Sequence, residues 1–353
     1  MRSERTAHQF MSATHLTPLR IAIVGAGLMG RWHACFARRL GAKIVAVADL
    51  DQAAAHALAR RHGAGVFGEL ADLLASARPD AIHICTPLPS HLPLATQAVE
   101  AGVHVLIEKP LAITAAQTQT LLARAGVRGV QICPVHQFGF QRGVVKAAAA
   151  LGELGEVLHA NFSFCSAGGG AQTGTALDAI VADILPHPLA ILQALWPDRL
   201  LSPEAWTAAS QGHGELHAQG RLGEMAVSIY ISMHARPTRC DLEIFCRHGS
   251  LYLNFFHGYA VVRRGAPSRV DKIAQPFIYA GTSLVVAAAN LAGRAWRREG
   301  AYPGLRELIA GFYAAIQGHG ENPISPAQIL VLATVREHLI QQAIPDVLAG
   351  QSI

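Results

Sequence analysis

The sequence predicts an α/β protein: an N-terminal doubly wound parallel sheet of the Rossmann type, followed by an α+β domain built on a large, open, mostly antiparallel sheet. Three observations predict it. Short apolar strands alternate with helical segments from Arg20 to about Phe140. The first strand runs into the turn Gly25-Ala26-Gly27-Leu28-Met29-Gly30, which opens a helix. Beyond Leu151 the pattern changes to period-two β-segments joined by short turns. Strand–helix alternation requires parallel pairing, whereas consecutive short strands favour antiparallel pairing.

In order, Ile21–Val24 is a buried strand, Arg31–Leu40 a helix and Lys43–Ala48 a second strand ending at Asp49. Gln52–His62 is helical, Gly65–Phe67 a third strand and Glu69–Ser76 a short helix. Ala81–Cys85 is the fourth strand, followed by Thr86-Pro87 and a helix over Leu92–Ala101. Val103–Ile107 runs into Glu108-Lys109-Pro110, Thr114–Ala125 is helical and Val130–Cys133 is the sixth strand. After a helix at Val144–Leu151, β-patterns occupy Val157–Phe164, Gly214–Arg221, Met225–Met233, Cys240–Phe245 and Ser250–Phe256. A helical insert covers Leu177–Leu195, and Leu305–Gln317 and Pro326–Gln342 close the chain. The expected organisation is a flexible tail over 1–19, a nucleotide-binding domain over 20–140 and a substrate and oligomerisation domain over 141–353.

With 353 residues, half of them apolar and only 15% charged, the chain can bury two cores and is not a disordered sequence. The formal charge of +5 favours small anionic ligands, and no basic block suggests nucleic acid. The six cysteines are scattered, without a CxxC pair, as expected of reduced thiols in the cytoplasm. The first nineteen residues lack the apolar core and cleavage site of a secretory signal.

Gly25, Gly27 and Gly30 make a full GxGxxG between strand and helix, with Asp49 nineteen residues further on at the end of the next strand. This is the arrangement of a dinucleotide site. Gly25 allows the tight turn, Gly27 lets the backbone approach a pyrophosphate, and Gly30 lets helix and strand pack closely. Leu28 and Met29 complete the turn, and the helix N-terminus favours the phosphates. Asp49 is placed to accept from ribose hydroxyls and, with Asp51, to repel a 2′-phosphate, so NAD is expected ahead of NADP.

Four segments carry a family resemblance: the glycine turn; Thr86-Pro87 with His91; Ala101-Gly-Val-His-Val-Leu-Ile-Glu108-Lys109-Pro110; and Gly152-Glu-Leu-Gly155-Glu-Val157. On these the chain resembles the glucose–fructose oxidoreductase/inositol dehydrogenase family, Gfo/Idh/MocA, over roughly residues 20 to 345. The resemblance implies an NAD(P)-dependent dehydrogenase or reductase moving a hydride between nicotinamide and a small hydroxyl or keto substrate, a sugar, sugar derivative or cyclitol. It also implies a homo-oligomer, dimer or tetramer, formed through the C-terminal sheet. Lys109 then lies near the reacting carbon, where a cation stabilises the developing alkoxide. Thr86, Pro87, His91 and Glu108 line the cofactor pocket, although His91 also reads as a helix-start residue and Glu108 as a salt-bridge partner.

The family's Asp-x-Gly-x-His-x-x-Asp helix corresponds to Asp183-Ile-Leu-Pro-His187-Pro-Leu-Ala190. Asp183 and His187 share a helix face four residues apart. His187 serves as general base or acid, and Asp183 orients the imidazole or substrate hydroxyls. Leu185 and Ala190 replace the motif's glycine and second acid, and Pro186 and Pro188 predict a break in the helix. These departures keep open an imine or other non-sugar reductase; a non-catalytic dinucleotide-sensing regulatory protein is a further alternative, against which the retained Lys109 and His187 argue.

His136 is a substrate-pocket candidate as well as a packing residue. Gly168–Gly170 with Gly174 reads as a loop over the substrate or as a plain connection. His213-x-Glu215-x-His217 would place three metal-ligand types on one strand face, but a solvated face is the expectation and no metal is assigned. Ile278–Gly293, followed by Arg294, Trp296, Arg297 and Arg298, reads as a helix packed in an interface, one lying on a membrane surface, or a lid.

Overall fold

The computed structural model describes residues 18–166, 170–265 and 269–350. The tail over residues 1–17 and two glycines of the run at 168–170 lie outside the described residues.

The first half alternates as expected: β1 (Arg20–Val24), α1 (Leu28–Arg39), β2 (Lys43–Ala48), α2 (Gln52–His62), β3 (Gly65–Phe67), α3 (Leu70–Ala77), β4 (Ala81–Ile84), α4 (His91–Glu100), β5 (His104–Ile107), α5 (Ala115–Arg128) and β6 (Ile132–Pro134). The strands pair in the order β3-β2-β1-β4-β5-β6, all in parallel. The order reverses between β1 and β4, and in open α/β sheets a crevice forms there at the strand carboxyl ends. Burial explains the strands, since every residue of β4 and all but the first of β1 are buried. Local chemistry sets the helix ends. The Asp51 carboxylate accepts from the Ala53 and Ala54 amides to start α2, and Gly63, at φ 63°, ends it. Thr114 and Gln117 form a reciprocal capping box at the start of α5.

The second half contains α6 (Arg142–Leu151), β7 (Val157–Cys165), α7 (Thr175–Ile184), α8 (Pro186–Leu195), β8 (Trp206–Ala209), β9 (Glu215–Leu222), β10 (Met225–Ser232), β11 (Arg239–Cys246), β12 (Gly249–Asn254), β13 (Tyr259–Arg264), α9 (Arg269–Trp296), α10 (Leu305–Ile316), α11 (Pro326–Ala343) and α12 (Asp346–Gly350). Its sheet runs β13-β12-β11-β7-β10-β9-β8, antiparallel except where β7 meets β10. Along β10, Met225, Val227, Ile229 and Ile231 face the core while Ala226, Ser228 and Tyr230 face outward, half-exposed. The sequence reading missed β8 and β13, which are the two edges of this sheet.

Two further differences bear on function. The predicted single helix over Leu177–Leu195 is two helices meeting at Leu185, because Pro186 starts the second one at its first turn. And α10 returns to the nucleotide-type sheet: Leu305, Leu308, Ile309 and Phe312 are fully buried in the core that packs on β1 and β5.

Candidate functional site

The glycine turn has the geometry that its composition demands. Gly25 has φ 96°, and a Cβ there would lie 2.7 Å from the Cys85 carbonyl oxygen at the end of β4. A Cβ on Gly30 would lie 1.8 Å from the Gly25 carbonyl, so the first turn of α1 can sit against the strand only with glycine. Around Gly27 there is open space, with nothing within 4 Å of a built Cβ. Gly27 caps α1 without a side-chain acceptor, and no acid lies in the first turn. The helix therefore offers backbone N–H groups and a positive dipole end to an anion. This cradle fits a dinucleotide pyrophosphate.

Asp49 lies just past β2, and its Oδ2 accepts from the Ala26 amide at 2.5 Å while Oδ1 accepts from the Asp51 amide at 2.8 Å. The carboxylate thus clamps the glycine turn and keeps lone pairs for a further donor. The Asp51 carboxylate, two residues on, accepts from the Ala53 and Ala54 amides and so caps α2.

A cleft of about 680 Å³ lies over the ends of β4 and β5. Met29, Thr86, Pro87, His91, Glu108, Lys109, Asp183 and His187 all line it, so most of the predicted residues converge. The Lys109 ammonium donates to Asp183 Oδ2 at 2.5 Å and to the Asp183 carbonyl at 3.1 Å. Asp183 ends α7 and His187 begins α8, so the expected shared face survives across a proline-induced break rather than along one helix. The break is held from outside. Pro186 has no N–H for the Ala182 carbonyl four residues back, and the buried Arg336 of α11 donates Nε–H to that carbonyl at 3.3 Å. Arg336 also donates to the Ile113 carbonyl at 3.2 Å, tying the segment after Lys109 to the broken helix.

The His187 ring stacks on Phe138, centroids 4.4 Å apart, and Phe138 stacks in turn on Phe255 at 5.8 Å. Burial, then the positive charge of Lys109, holds the His187 pKa well below the usual histidine value. The ring is therefore neutral at neutral pH. Burial opposes ionisation of Glu108, but the hydrogen bond and charge of His33, with Lys109 and His91, prevail and hold its pKa low. Glu108 heads a buried chain absent from the sequence reading: His33 Nε2 lies 3.2 Å from Glu108, His33 Nδ1 3.1 Å from His83 Nδ1, and His83 Nε2 3.1 Å from the Tyr313 hydroxyl. Burial, then His33, keeps the His83 pKa well below normal.

His91 proves to be a clasp as well as a lining residue. Its ring nitrogens lie 2.8 Å from the Pro110 and Thr86 carbonyls, joining the two cleft loops. His136 does not line the cleft; its buried ring has an unpartnered Nδ1, and burial followed by Lys109 lowers its pKa to about 4. Its neighbours Gln137 and Phe138 reach the cleft instead. Phe255, Phe256 and Tyr302 complete the wall from segments where no local motif pointed to them, together with Arg294 from the end of the apolar segment read as an interface helix, a membrane-surface helix or a lid.

The His213-Glu215-His217 set does not assemble. His213 precedes β9 and bonds Asp178 at 2.6 Å, Glu215 bonds Ser232 at 3.0 Å, and His217 packs edge-on against Tyr230. No group of three metal-ligand side chains occurs among the described residues.

Residues 19–136 match the profile of an oxidoreductase family with an NAD-binding Rossmann fold, the Gfo/Idh/MocA family. The chain is 30% identical over 242 residues to an inositol 2-dehydrogenase of Pseudomonas fluorescens, covering 65% of this chain and 69% of the relative. It is 37% identical over 142 residues to an inositol 2-dehydrogenase of Rubrobacter xylanophilus, a match spanning 39% of this chain and 41% of that one. Among solved structures it resembles the WlbA dehydrogenase of Bordetella pertussis, in complex with NADH and UDP-GlcNAcA, with a TM-score of 0.70 and 17% identity over 92% of this chain and 95% of that one.

Proposed function

The chain belongs to the Gfo/Idh/MocA family of NAD-binding oxidoreductases, and from that premise we propose that it interconverts a secondary alcohol and its ketone on a cyclitol, sugar or sugar derivative, with NAD as hydride partner. The observation that carries this reading is the meeting of Lys109, Asp183 and His187 in the cleft that the glycine turn borders.

When bound, the nicotinamide supplies the hydride acceptor or donor. Gly25, Gly27 and the N-terminus of α1 would hold the pyrophosphate, and Asp49 the adenosine ribose, where its charge disfavours a 2′-phosphate. Lys109 meets the substrate oxygen and stabilises the negative charge that builds there. His187, neutral because burial and Lys109 depress its pKa, takes the hydroxyl proton in oxidation and returns it in reduction. The stack on Phe138 fixes the ring plane for that transfer. Asp183 holds the ammonium in place and offers its remaining lone pairs to substrate hydroxyls.

The dehydrogenase and dinucleotide complexes among its relatives support the substrate class and NAD. The half-exposed outer face of the second sheet, with Leu158, Tyr230 and Phe245, supports assembly with further copies through that sheet. Six free cysteines support a reducing compartment, and so the cytoplasm.

One observation favours a second reading, reduction of a cyclic imine or another less hydroxylated substrate. Leu185 and Ala190, which replace the motif's glycine and acid, are both buried away from the cleft, and Phe138, Phe255 and Phe256 give it an aromatic wall.

Titration of NADH and NADPH fluorescence, followed by a turnover screen of cyclitols, sugars and cyclic imines, tests these readings. NADH should bind more tightly than NADPH, and Asp49→Ala should weaken NADH. Lys109→Met and His187→Ala should each lower turnover about 10²- to 10⁴-fold while NADH still binds. Near-normal turnover removes that residue from the mechanism; failure to bind either dinucleotide removes the reading.

A further inference from the structure

Helix α9 is built inside out. Within Ile273–Trp296 an 18-residue stretch has a mean hydropathy of 1.3, yet no residue of the helix there is buried. The face turned toward its own protein is the polar one. Arg263 stacks over Tyr279 at 4.8 Å, Asn290 donates to the His257 carbonyl at 2.9 Å, and Arg294 bonds the His257 and Gly300 carbonyls at 3.3 and 3.2 Å. Thr282 and Ser283 lie on the same half-exposed side. The face turned outward carries Ile273, Phe277, Leu284, Val285, Leu291 and Trp296, which are 78, 79, 72, 67, 64 and 90% exposed. No charged side chain occurs between Ile273 and Gly293. A surface helix of a self-sufficient fold has the opposite arrangement.

The outward face also has an ordered pattern. Phe277, Gly281, Leu284, Ala288, Leu291 and Ala295 follow one another at intervals of four and three, and all six are exposed. That spacing is the seam of a helix pair. Along it, large and small side chains alternate strictly. Two copies laid antiparallel about a dyad between residues 284 and 288 would set Phe277 against the partner's Ala295, Gly281 against the partner's Leu291 and Leu284 against the partner's Ala288. Every layer then joins one ridge to one notch. A parallel pair would set Phe277 on the partner's Phe277 and Gly281 on the partner's Gly281, a clash followed by a void. The chain's own fold does not need the notch, because a Cβ on Gly281 would meet nothing within 4 Å.

We propose that the outward face of α9 is a homodimer interface, packed antiparallel against the same helix of a second copy of this chain. Antiparallel pairing is what a twofold axis across two helices produces, so one surface serves both protomers. The exposed apolar side chains present on the order of 900 Å², comparable with the ~800 Å² that each partner contributes to a standard stable interface. A lipid surface rewards apolar area but has no use for alternating sizes, and the basic residues of this helix stand at its two ends in the sequence rather than along the apolar stretch. The inner face of the same helix carries Arg294, which lines the cleft, so pairing on the outer face would brace one wall of the site.

Sedimentation of the full chain at micromolar concentration tests this, with Leu284→Glu, Ala288→Leu and the double variant Leu284→Cys/Ala288→Cys. In the wild type the helix pair doubles the mass of whatever unit the second sheet forms. Leu284→Glu, which places a charge in the seam, and Ala288→Leu, which fills the notch, should each halve the mass without changing the far-ultraviolet circular dichroism. The double-cysteine variant should form a reducible covalent dimer that the wild type does not. Unchanged mass in both single variants, or no cross-link, overturns the proposal. So does flotation with phosphatidylserine-containing vesicles that Ala288→Leu strengthens, because that result assigns the face to lipid.

Discussion

Two stretches of this chain are nearly equal in hydropathy and opposite in fate. The most apolar 18 residues within Thr175–Leu195 average 1.4 and are 67% buried, whereas those within Ile273–Trp296 average 1.3 and none is buried. Composition does not separate them; what the rest of the chain supplies does. The first stretch lies against the inner face of the second sheet, with α6 and α11 beside it and Arg336 satisfying its broken turn. The second meets the protein through hydrogen-bonding side chains and keeps its apolar side outward. Hydropathy states how much burial a helix requires, not which molecule provides it.

The same substitution in both stretches breaks the comparison most directly. Leu189 in α8 is fully buried and Leu284 in α9 is 72% exposed. Leu189→Glu should cost more than about 4 kcal/mol, because it exchanges a packed side chain for an unpaired buried carboxylate. Leu284→Glu should change the stability of the separated protomer by no more than about 0.5 kcal/mol. Urea unfolding at decreasing protein concentration checks both, since only the dimer's contribution depends on dilution. A large loss for Leu284→Glu that persists at the lowest concentration would show that α9 is buried within its own chain.

The pH dependence of stability sharpens the contrast, because the buried stretch holds one neutral histidine, His187, with another, His136, near it. Burial lowers the pKa of His136 to about 4, from the ordinary histidine value near 6.5, and lowers those of His187 and of His83 in β4 in the same direction. The unfolded chain therefore binds protons between pH 6.5 and 4 that the folded chain refuses. Stability is fully present above about pH 6.5 and is lost as pH falls through that window, by roughly 3 kcal/mol for His136 alone. Denaturant midpoints at pH 7.5 and 5.0 should show the loss, and His136→Phe should make the curve shallower. An equal slope in His136→Phe would mean that His136 is not held neutral by burial.

What the sequence reading recovered and what it missed follow the same division between local and distant causes. The bounds of α2 were legible because Asp51 and Gly63, its cap and stop, adjoin it. The glycine turn was legible because strand, turn and helix are contiguous. Lys109, Asp183 and His187 were legible only through family resemblance, since β5 and α7 are brought together by the two-sheet architecture rather than by spacing. The edge strands β8 and β13 are short or irregular in alternation, and edge strands are the least constrained by burial. Arg294 reaches the cleft from the apolar segment for which a lid was one of three readings, whereas Tyr302, and Arg336 at the break behind the cleft, come from late segments whose own pattern gives no reason to look for them.

Arg336 also provides the subtlest test. Pro186 leaves the Ala182 carbonyl without its helical donor, and the Arg336 guanidinium replaces that donor from a helix more than a hundred residues away. Burial lowers the arginine's pKa to about 10, partly offset by Asp183 and Glu337, so it remains charged at neutral pH. Arg336→Met removes the donor from both Ala182 and Ile113 but also relieves a buried charge, for a net loss of about 2 kcal/mol. Adding Pro186→Ala to Arg336→Met restores a backbone N–H within reach of the Ala182 carbonyl. The double variant should therefore be about 1 kcal/mol more stable than the sum of the single changes predicts. In α9, Pro276 interrupts a helix whose outer side is exposed, and Pro276→Ala should show no such coupling to Arg336. Strict additivity in the first pair would mean that Arg336 does not act through the broken turn, and that the helix carrying His187 owes its bend to the prolines alone.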